Sequence, residues 1–207
     1  MDGSTMRIET VGVIGANVMG REIALAALLG GYKVVLEDVS SEMLEKGITH
    51  IERSLNERAT QHELSQQERE SVLARFSNAS RVDEVCRVAD MLIETVPDEM
   101  EVKLEIFTIF DKFAKPGAIL ASNTSLSITE IASITFRTED CVGMRFTNPL
   151  PRITYVELVR GADTSDTTIA ACSEAARRMG MEVAVVREPY EPSAAGEVAV
   201  RAKERVE

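Results

Sequence analysis

The sequence predicts an α/β fold, in which a doubly wound, mostly parallel sheet carries helices on both faces. Three observations lead to this prediction. Short β-branched runs alternate with helical segments along most of the 207 residues, and that alternation is typical of βαβ units. Serine or aspartate repeatedly precedes a helical segment, as N-caps do. A glycine-rich turn joins the first strand directly to the first helix.

The elements around the glycine-rich turn are the clearest. Residues 7–14 form a β-branched run that predicts a buried strand. Residues 18–29 predict a helix that ends at Gly30-Gly31, because glycine commonly follows the last helical turn. Residues 33–37 are again β-branched and predict the second strand.

Capping residues predict where the later helices begin. In chain order these starts lie at Ser40 or Ser41, Ser65, Asp98, Ser127 and Ser165. Apolar runs predict further strands at residues 91–96, 118–121, 142–144, 155–159 and 183–186. We therefore expect one domain over residues 7–186. Residues 1–6 would be a leader or flexible segment, and residues 187–207 a divergent tail with one short helix.

Composition and charge argue against several classes of function. The net charge of −11 disfavours nucleic acid and anionic membranes as partners. No apolar run approaches the roughly 18–20 residues of a membrane span, and the N-terminus lacks a signal-peptide pattern, so we expect a cytoplasmic protein. Cys86, Cys141 and Cys172 are far apart, which indicates reduced thiols. The two histidines, His50 and His62, form no plausible metal site.

The turn after the first strand predicts a dinucleotide site. Gly15, Asn17, Val18, Met19 and Gly20 occupy the place of the Rossmann G-x-G-x-x-G fingerprint, whose helix N-terminus binds pyrophosphate. Asn17 replaces the middle glycine, so its side chain must point away from the phosphate or hydrogen-bond it. The alternative is a Rossmann-type fold that has lost its nucleotide.

An acid at the end of the second strand identifies the expected cofactor. Asp38 lies 23 residues after Gly15, close to the spacing of about 20 at which an acid binds the adenosine ribose. A carboxylate there repels a 2′-phosphate. The sequence therefore predicts NAD(H) rather than NADP(H).

Four further segments match one family in order and at natural spacing: GANVMGREIALAALLGGYKVVLEDVS, LIETVPDEMEVKLEIF, GAILASNTSLSITEIA and GMRFTNPLPRITYVELVRGADTSD. Over about residues 7–186 the chain resembles the NAD-binding domain of 3-hydroxyacyl-CoA dehydrogenases. The SNTS and NPLP…VELV segments are the most specific. The resemblance implies an acyl-CoA or acyl-carrier substrate and a place in fatty acid metabolism.

The resemblance also implies a second group of cofactor-site residues. Glu94, Thr95 and Val96 match the segment beneath the nicotinamide half of NAD. Lys103 and Asn123 match positions that line the cofactor or the substrate. The alternative for Lys103 is a solvated side chain on a charged helix.

The implied catalytic group lies around the Asn-Pro corner. Ser125 matches a serine near the substrate hydroxyl, and Glu157 matches the carboxylate that orients the family's catalytic histidine. Asn148 lies in the corner between them. The position of the histidine, which takes the hydroxyl proton while hydride passes to NAD, holds Arg145. Arginine stays protonated in proteins and cannot act as that base.

Arg145 has three interpretations: an ion pair with Glu157, a ligand for a substrate carboxylate, phosphate or developing oxyanion, or an exposed charge. On the long helix, Arg53 and Arg58 either meet a CoA phosphate or belong to a salt-bridged surface.

We therefore expect an NAD(H)-binding, 3-hydroxyacyl-CoA dehydrogenase-like oxidoreductase with weakened or altered catalysis. The alternatives are a non-catalytic module that binds NAD or a partner, and a dehydrogenase whose acidic or carrier-bound substrate is recognised by Arg145. The family's C-terminal helical domain has no counterpart in this sequence, so we expect a homo-oligomer or a partner subunit to cover that surface.

Overall fold

The computed structural model describes residues 7–147 and 154–189. These residues form an eight-stranded sheet in the order β3-β2-β1-β4-β5-β6-β7-β8. All neighbouring strands are parallel except β6 and β7, which are antiparallel. The predicted α/β fold with a doubly wound, mostly parallel sheet is confirmed. Residues 1–6, Asn148 and the predicted tail helix lie outside the described residues.

The elements follow the predicted alternation. The strands are β1 (Thr10–Ile14), β2 (Lys33–Glu37), β3 (Phe76–Ala79), β4 (Met91–Glu94), β5 (Ile119–Ser122), β6 (Cys141–Thr147), β7 (Tyr155–Arg160) and β8 (Glu182–Arg187). The helices are α1 (Val18–Leu29), α2 (Ser41–Thr60), α3 (Gln66–Leu73), α4 (Val82–Cys86), α5 (Met100–Phe113), α6 (Ile128–Ala132) and α7 (Asp166–Arg178), with one 3₁₀ turn at Thr138–Asp140.

Serine caps begin four of these helices as predicted. Ser40, Ser65, Ser127 and Ser165 each accept a hydrogen bond from a backbone amide in the first turn. The predicted start at Asp98 is wrong, because α5 begins two residues later with no side-chain cap. The Asp98 carboxylate instead accepts hydrogen bonds from the loop after β5. The sequence also failed to predict β3 and α4, which are short.

Two hydrophobic cores lie on opposite faces of the sheet. Residues of α1, α2, α3 and α7 pack on one face, and residues of α4, α5 and α6 pack on the other. The three cysteines are free and buried in these cores. Burial raises the pKa of Cys86 and Cys141 to about 12, so their thiols stay protonated at neutral pH. No helix among the described residues is long and apolar enough to cross a membrane.

Candidate functional site

The candidate site lies at the carboxyl ends of the parallel strands, the edge at which ligands bind in open α/β sheets. Gly15 follows β1, Asp38 follows β2, Thr95 follows β4 and Asn123 follows β5. Arg145 lies near the carboxyl end of β6, which is parallel to β5. The topology thus brings together residues that lie up to 130 positions apart in the sequence.

The turn between β1 and α1 requires both of its glycines. Gly15 has a φ of +98°, a conformation that other residues rarely adopt. A Cβ atom on Gly20 would lie 1.8 Å from the Gly15 carbonyl oxygen, so only glycine fits there. The Thr95 hydroxyl donates to the Ile14 and Gly15 carbonyls, both at 3.1 Å, and so ties β4 to this turn. The N-terminus of α1 is therefore held directly above the end of β1.

Asn17 caps α1 in place of the middle glycine. Its Oδ1 accepts hydrogen bonds from the amides of Met19 at 2.9 Å and Gly20 at 3.0 Å. Its Nδ2 donates to the Thr95 carbonyl, and its backbone is extended. The amides of Asn17 and Val18 have no hydrogen-bond acceptor within residues 7–147 and 154–189. Two open amides at a helix N-terminus thus remain for a pyrophosphate, and the turn fits a dinucleotide in that respect.

Asp38 borders the same turn. Its Oδ2 accepts a hydrogen bond from the Ala16 amide and its Oδ1 accepts one from the Ser40 amide, both at 2.8 Å. These two bonds fix the carboxylate of a half-buried side chain at the place where an acid binds the adenosine ribose. The carboxylate also joins the glycine turn to the start of α2.

Glu37 is a buried carboxyl beside Asp38. Burial, together with the negative charge of Asp38, raises the pKa of Glu37 to about 7. This group therefore changes its charge near neutral pH, directly next to Asp38.

Lys103 and Glu94 form a buried ion pair beneath the site. Both side chains are 0% exposed, and the Lys103 ammonium lies 2.9 and 3.1 Å from the Glu94 carboxylate oxygens. The ammonium also donates to the Val96 and Asn123 carbonyls, and Ser122 donates to Glu94. The solvated alternative for Lys103 is wrong. Burial raises the pKa of Glu94, although Lys103 and Ser122 oppose that rise.

Asp98 holds the loop that carries Ser125. Its carboxylate accepts hydrogen bonds from the Thr124 and Ser125 hydroxyls, and from the Ser125 amide at 3.0 Å. Partial burial raises the pKa of Asp98, but these hydrogen bonds outweigh burial and keep the pKa below its usual value. The Ser125 hydroxyl thus donates its hydrogen bond to Asp98, and because Ser125 is an exposed residue its oxygen can still accept one.

The Arg145 guanidinium is anchored to that same loop. Its Nε donates to the Thr124 carbonyl at 2.6 Å, and its Nη2 donates to the Ser125 carbonyl at 3.0 Å. The Asn123 side chain accepts a hydrogen bond from the Phe146 amide at 3.3 Å, which joins the loop after β5 to β6. Arg145 is half-buried, so its interpretation as an exposed charge is wrong.

Glu157 lies directly across the β6–β7 ladder from Arg145. Residues at opposite positions of an antiparallel pair project from the same face of the sheet. Glu157 is 1% exposed, and the Tyr155 hydroxyl donates to its Oε1 at 3.4 Å. Arg145 and the buried Glu157 carboxylate therefore lie on the same face of the sheet, at opposite positions of the β6–β7 ladder.

The remaining charged candidates form ion pairs. Arg53 lies 3.6 Å from Glu57, and Arg58 lies 2.8 Å from Glu63, as the salt-bridged alternative predicted. His50 meets Glu22 at 2.8 Å between α1 and α2. Among the described residues, no group of histidines, cysteines and acids is arranged to hold a metal ion.

Comparison with known proteins agrees with this arrangement. The family model described as "3-hydroxyacyl-CoA dehydrogenase, NAD binding domain" matches residues 10–189. The chain belongs to this family.

Individual relatives also carry names of the 3-hydroxyacyl-CoA dehydrogenase type. A 3-hydroxybutyryl-CoA dehydrogenase of Bradyrhizobium diazoefficiens is 40% identical over 86% of this chain and 61% of its own length. The mitochondrial hydroxyacyl-coenzyme A dehydrogenase of Sus scrofa is 33% identical over 84% of this chain and 57% of its own length.

A solved structure supports the fold in the same way. The (S)-3-hydroxybutyryl-CoA dehydrogenase of Ralstonia eutropha superposes with a TM-score of 0.83 at 35% identity, over 90% of this chain and 65% of that one. This chain spans about three fifths of the length of the bacterial 3-hydroxybutyryl-CoA dehydrogenases that it matches. NAD is the cofactor of the domain family, and the matched span contains the whole candidate site.

Some members of the site were not predicted from the sequence. The roles of Asp98 and Thr124 were missed, since Asp98 was interpreted as a helix start. The function of Asn17 as a cap was also missed. A usable signal was present at Asn17, because asparagine is among the strongest N-cap residues.

Proposed function

We propose that this chain binds NAD(H) at the β1–α1 turn and carries an oxidoreductase site of the 3-hydroxyacyl-CoA dehydrogenase type in which the usual proton transfer is altered. The observation that carries the proposal is the convergence of the Gly15 turn, Asp38, Ser125 and Glu157 at one edge of the sheet, with Arg145 opposite Glu157. We further propose a fatty acyl substrate and a cytoplasmic location.

On the cofactor side, the open amides of Asn17 and Val18 would bind the pyrophosphate, and Asp38 would bind the adenosine ribose. NAD supplies the hydride acceptor when it is bound. The buried Lys103–Glu94 pair would act as a positioning pair, because it fixes the Asn123 and Val96 carbonyls at the floor of the cleft. Thr95 holds this floor against the glycine turn.

On the substrate side, Ser125 offers an exposed oxygen that would accept a hydrogen bond from a substrate hydroxyl. Arg145 holds its positive charge at the place where a family member has its base. A guanidinium there stabilises a developing oxyanion or binds an acidic group, but it does not remove a proton at neutral pH. We therefore propose slow hydride transfer, with the hydroxyl proton passing to solvent rather than to a protein base.

A second function follows from Arg145 itself. Its guanidinium is held by two backbone carbonyls, and such preorganisation suits recognition of a carboxylate or phosphate. A hydroxyacyl substrate with a second acidic group would use this contact.

We propose that the cleft is completed by a second copy of the chain or by a partner subunit.

Calorimetric titration of the purified chain with NADH and NADPH tests the cofactor proposal. We expect NADH to bind and NADPH to bind at least about tenfold more weakly, because Asp38 repels a 2′-phosphate. Asp38→Ala should weaken NADH binding and reduce the difference between the two cofactors, whereas Glu45→Ala on the exposed face of α2 should change neither. Absence of NADH binding at millimolar concentration would overturn the proposal.

A further inference from the structure

A second cavity lies at the opposite, amino-terminal edge of the sheet. It has a volume of about 550 Å³ and lies beside the starts of β1 and β2 and the C-terminal half of α7. A five-residue strand separates this edge from the glycine turn, a distance of roughly 17 Å at 3.3 Å per residue. The cavity is therefore distinct from the candidate active site.

The charge around this cavity is opposite in sign to that of the chain. The chain carries a net charge of −11. The charged residues that line the cavity are four cations, Arg7, Lys33, Arg75 and Arg178, and two acids, Glu9 and Glu174. Glu9 forms an ion pair with Arg7, in which Oε1 of Glu9 lies 3.1 Å from Nε of Arg7. Lys33, Arg75 and Arg178 form no ion pair with an acid anywhere in the described part of the chain.

Arg75 is fixed in place at the cavity wall. Its Nη1 donates to the Ser71 carbonyl at 3.0 Å and its Nη2 donates to the Leu28 carbonyl at 3.1 Å. Its Nε is buried and has no hydrogen-bond partner among the described residues. The Arg75 guanidinium thus lines the cavity in a position set by backbone carbonyls.

Arg178 is fixed in a similar way. Its Nε donates to the Gly30 carbonyl at 2.7 Å and its Nη2 donates to the Gly31 carbonyl at 3.3 Å. Its guanidinium lies over the Tyr32 ring at 4.2 Å from the centroid. These contacts stabilise the end of α1. They use only some of the five N–H donors of the Arg178 guanidinium.

We propose that this cavity is a binding site for a phosphate-bearing small molecule. Two arginines held by backbone carbonyls lose little side-chain entropy on binding, and arginine forks match phosphate oxygens. Lys33 adds a third cation without an acidic partner at the rim. The chemistry requires an anion with several acceptor oxygens, whether a free phosphate or pyrophosphate or the phosphate group of a nucleotide.

Calorimetric titration with pyrophosphate at low salt, in the presence of saturating NADH, tests this site. Lys33→Gln should raise the dissociation constant for pyrophosphate about threefold, and Lys33→Glu should raise it about tenfold. Lys33 makes no side-chain hydrogen bond or ion pair with the described residues, so neither variant removes a structural contact. Arg178→Lys, which keeps the charge but loses the fork, should also weaken binding about tenfold.

Arg177→Gln is the matched control. Arg177 is exposed and adjacent to Arg178 but does not line the cavity, so we expect no change in pyrophosphate binding.

Parallel titrations with orthophosphate and ADP identify the source of the phosphate. Tighter binding of ADP than of pyrophosphate would indicate a nucleotide, and the reverse a free anion. No binding of any of the three, or equal weakening by Lys33→Gln and Arg177→Gln, would overturn the assignment. Because Lys33 lines this cavity and lies far from the glycine turn, weaker pyrophosphate binding by the Lys33 variants identifies this cavity as the site whether or not NADH binds.

Discussion

Glu37 shows how one residue couples the candidate site to pH. Its pKa is about 7 in the folded chain, against an ordinary value near 4.5. The folded state therefore holds a proton that the unfolded state releases between those two values. As a result, stability from this group is fully present below about pH 4.5 and falls as the pH rises to about 7.

Glu37→Gln should remove this dependence. At pH 8 we expect the variant to unfold with a free energy about 1–3 kcal/mol higher than that of the parent chain, and at pH 4 we expect the two to be equal. Urea unfolding at both pH values measures the difference. Glu45→Gln, at an exposed position on α2, serves as the control with no change at either pH. A stability difference between Glu37→Gln and the parent chain that is the same at pH 4 and pH 8 would contradict this account of Glu37.

The Lys103–Glu94 pair makes a second prediction at this scale. Lys103→Met leaves a buried carboxylate without its partner, which costs about 3–5 kcal/mol. At pH 5 the loss should be smaller than at pH 8, because Glu94, whose pKa burial already raises, takes up a proton. Chemical denaturation of the variant at both pH values measures this. Lys46→Met, at an exposed helix pair, should change stability little, and a comparably small loss in Lys103→Met would show that the pair is not essential.

Among individual residues, the sequence predicted those whose chemistry follows from position in a motif. Gly15 and Gly20 were assigned from spacing alone, and the geometry of the turn requires both. Asp38 was assigned from its distance along the chain from Gly15. The burial of Lys103 was not predictable from its charged helical surroundings. It depends on Glu94, which a separate strand places beneath the cleft.

At the scale of the element, Asn17 caps the N-terminus of α1. Its side chain thereby occupies two backbone amides that could otherwise bind a phosphate. Asn17→Gly frees the Met19 and Gly20 amides for a phosphate, so we expect the dissociation constant for NADH to fall severalfold. The helix should lose only a few tenths of a kcal/mol, since glycine is an acceptable N-cap. NADH titration and thermal unfolding of the variant measure both effects.

Asn17→Ala separates the two causes in that experiment. It also frees the amides but keeps a Cβ atom, and it costs about 1 kcal/mol as a poor N-cap. Tighter NADH binding in both variants would identify amide release as the cause. Tighter binding in the glycine variant alone would identify close backbone approach. Weaker binding in both would instead mean that the Asn17 side chain itself contacts the phosphate.

Elements with their own local signals were predicted, and those defined by neighbours were not. The serine caps satisfy amides within their own first turn, so sequence alone reveals them. Strand β3 (FSNA) has little apolar character and forms only by pairing with β2 at the edge of the sheet. Asp98 looks like a cap, but the loop after β5 supplies stronger partners, which spacing along the chain does not reveal.

At the scale of the whole molecule, one sheet joins the cofactor half to the strand pair that carries Arg145 and Glu157. Strands β1 to β6 are parallel to one another and hold the glycine turn at their carboxyl ends, and the antiparallel β6–β7 pair brings the two charged residues together. The chain also covers only 61% of its Bradyrhizobium relative. Two separate features therefore bear on the proposed acyl-CoA turnover: Arg145, at the position where the family resemblance implies a histidine, and the part of the relatives that this chain does not match.

These two differences can be separated by a two-by-two design. The chain, with Arg145 or with Arg145→His, is assayed alone and fused to the unmatched C-terminal region of the Bradyrhizobium enzyme. We expect 3-hydroxybutyryl-CoA oxidation to be slow in the fused parent and roughly 10²–10⁴-fold faster in the fused His variant, the usual effect of a general base. NADH binding should be similar in all four proteins, since the glycine turn is unchanged. Equal turnover in the fused parent and the fused His variant would show that Arg145 does not limit the chemistry, and the site would then be a working one with a different route for the proton.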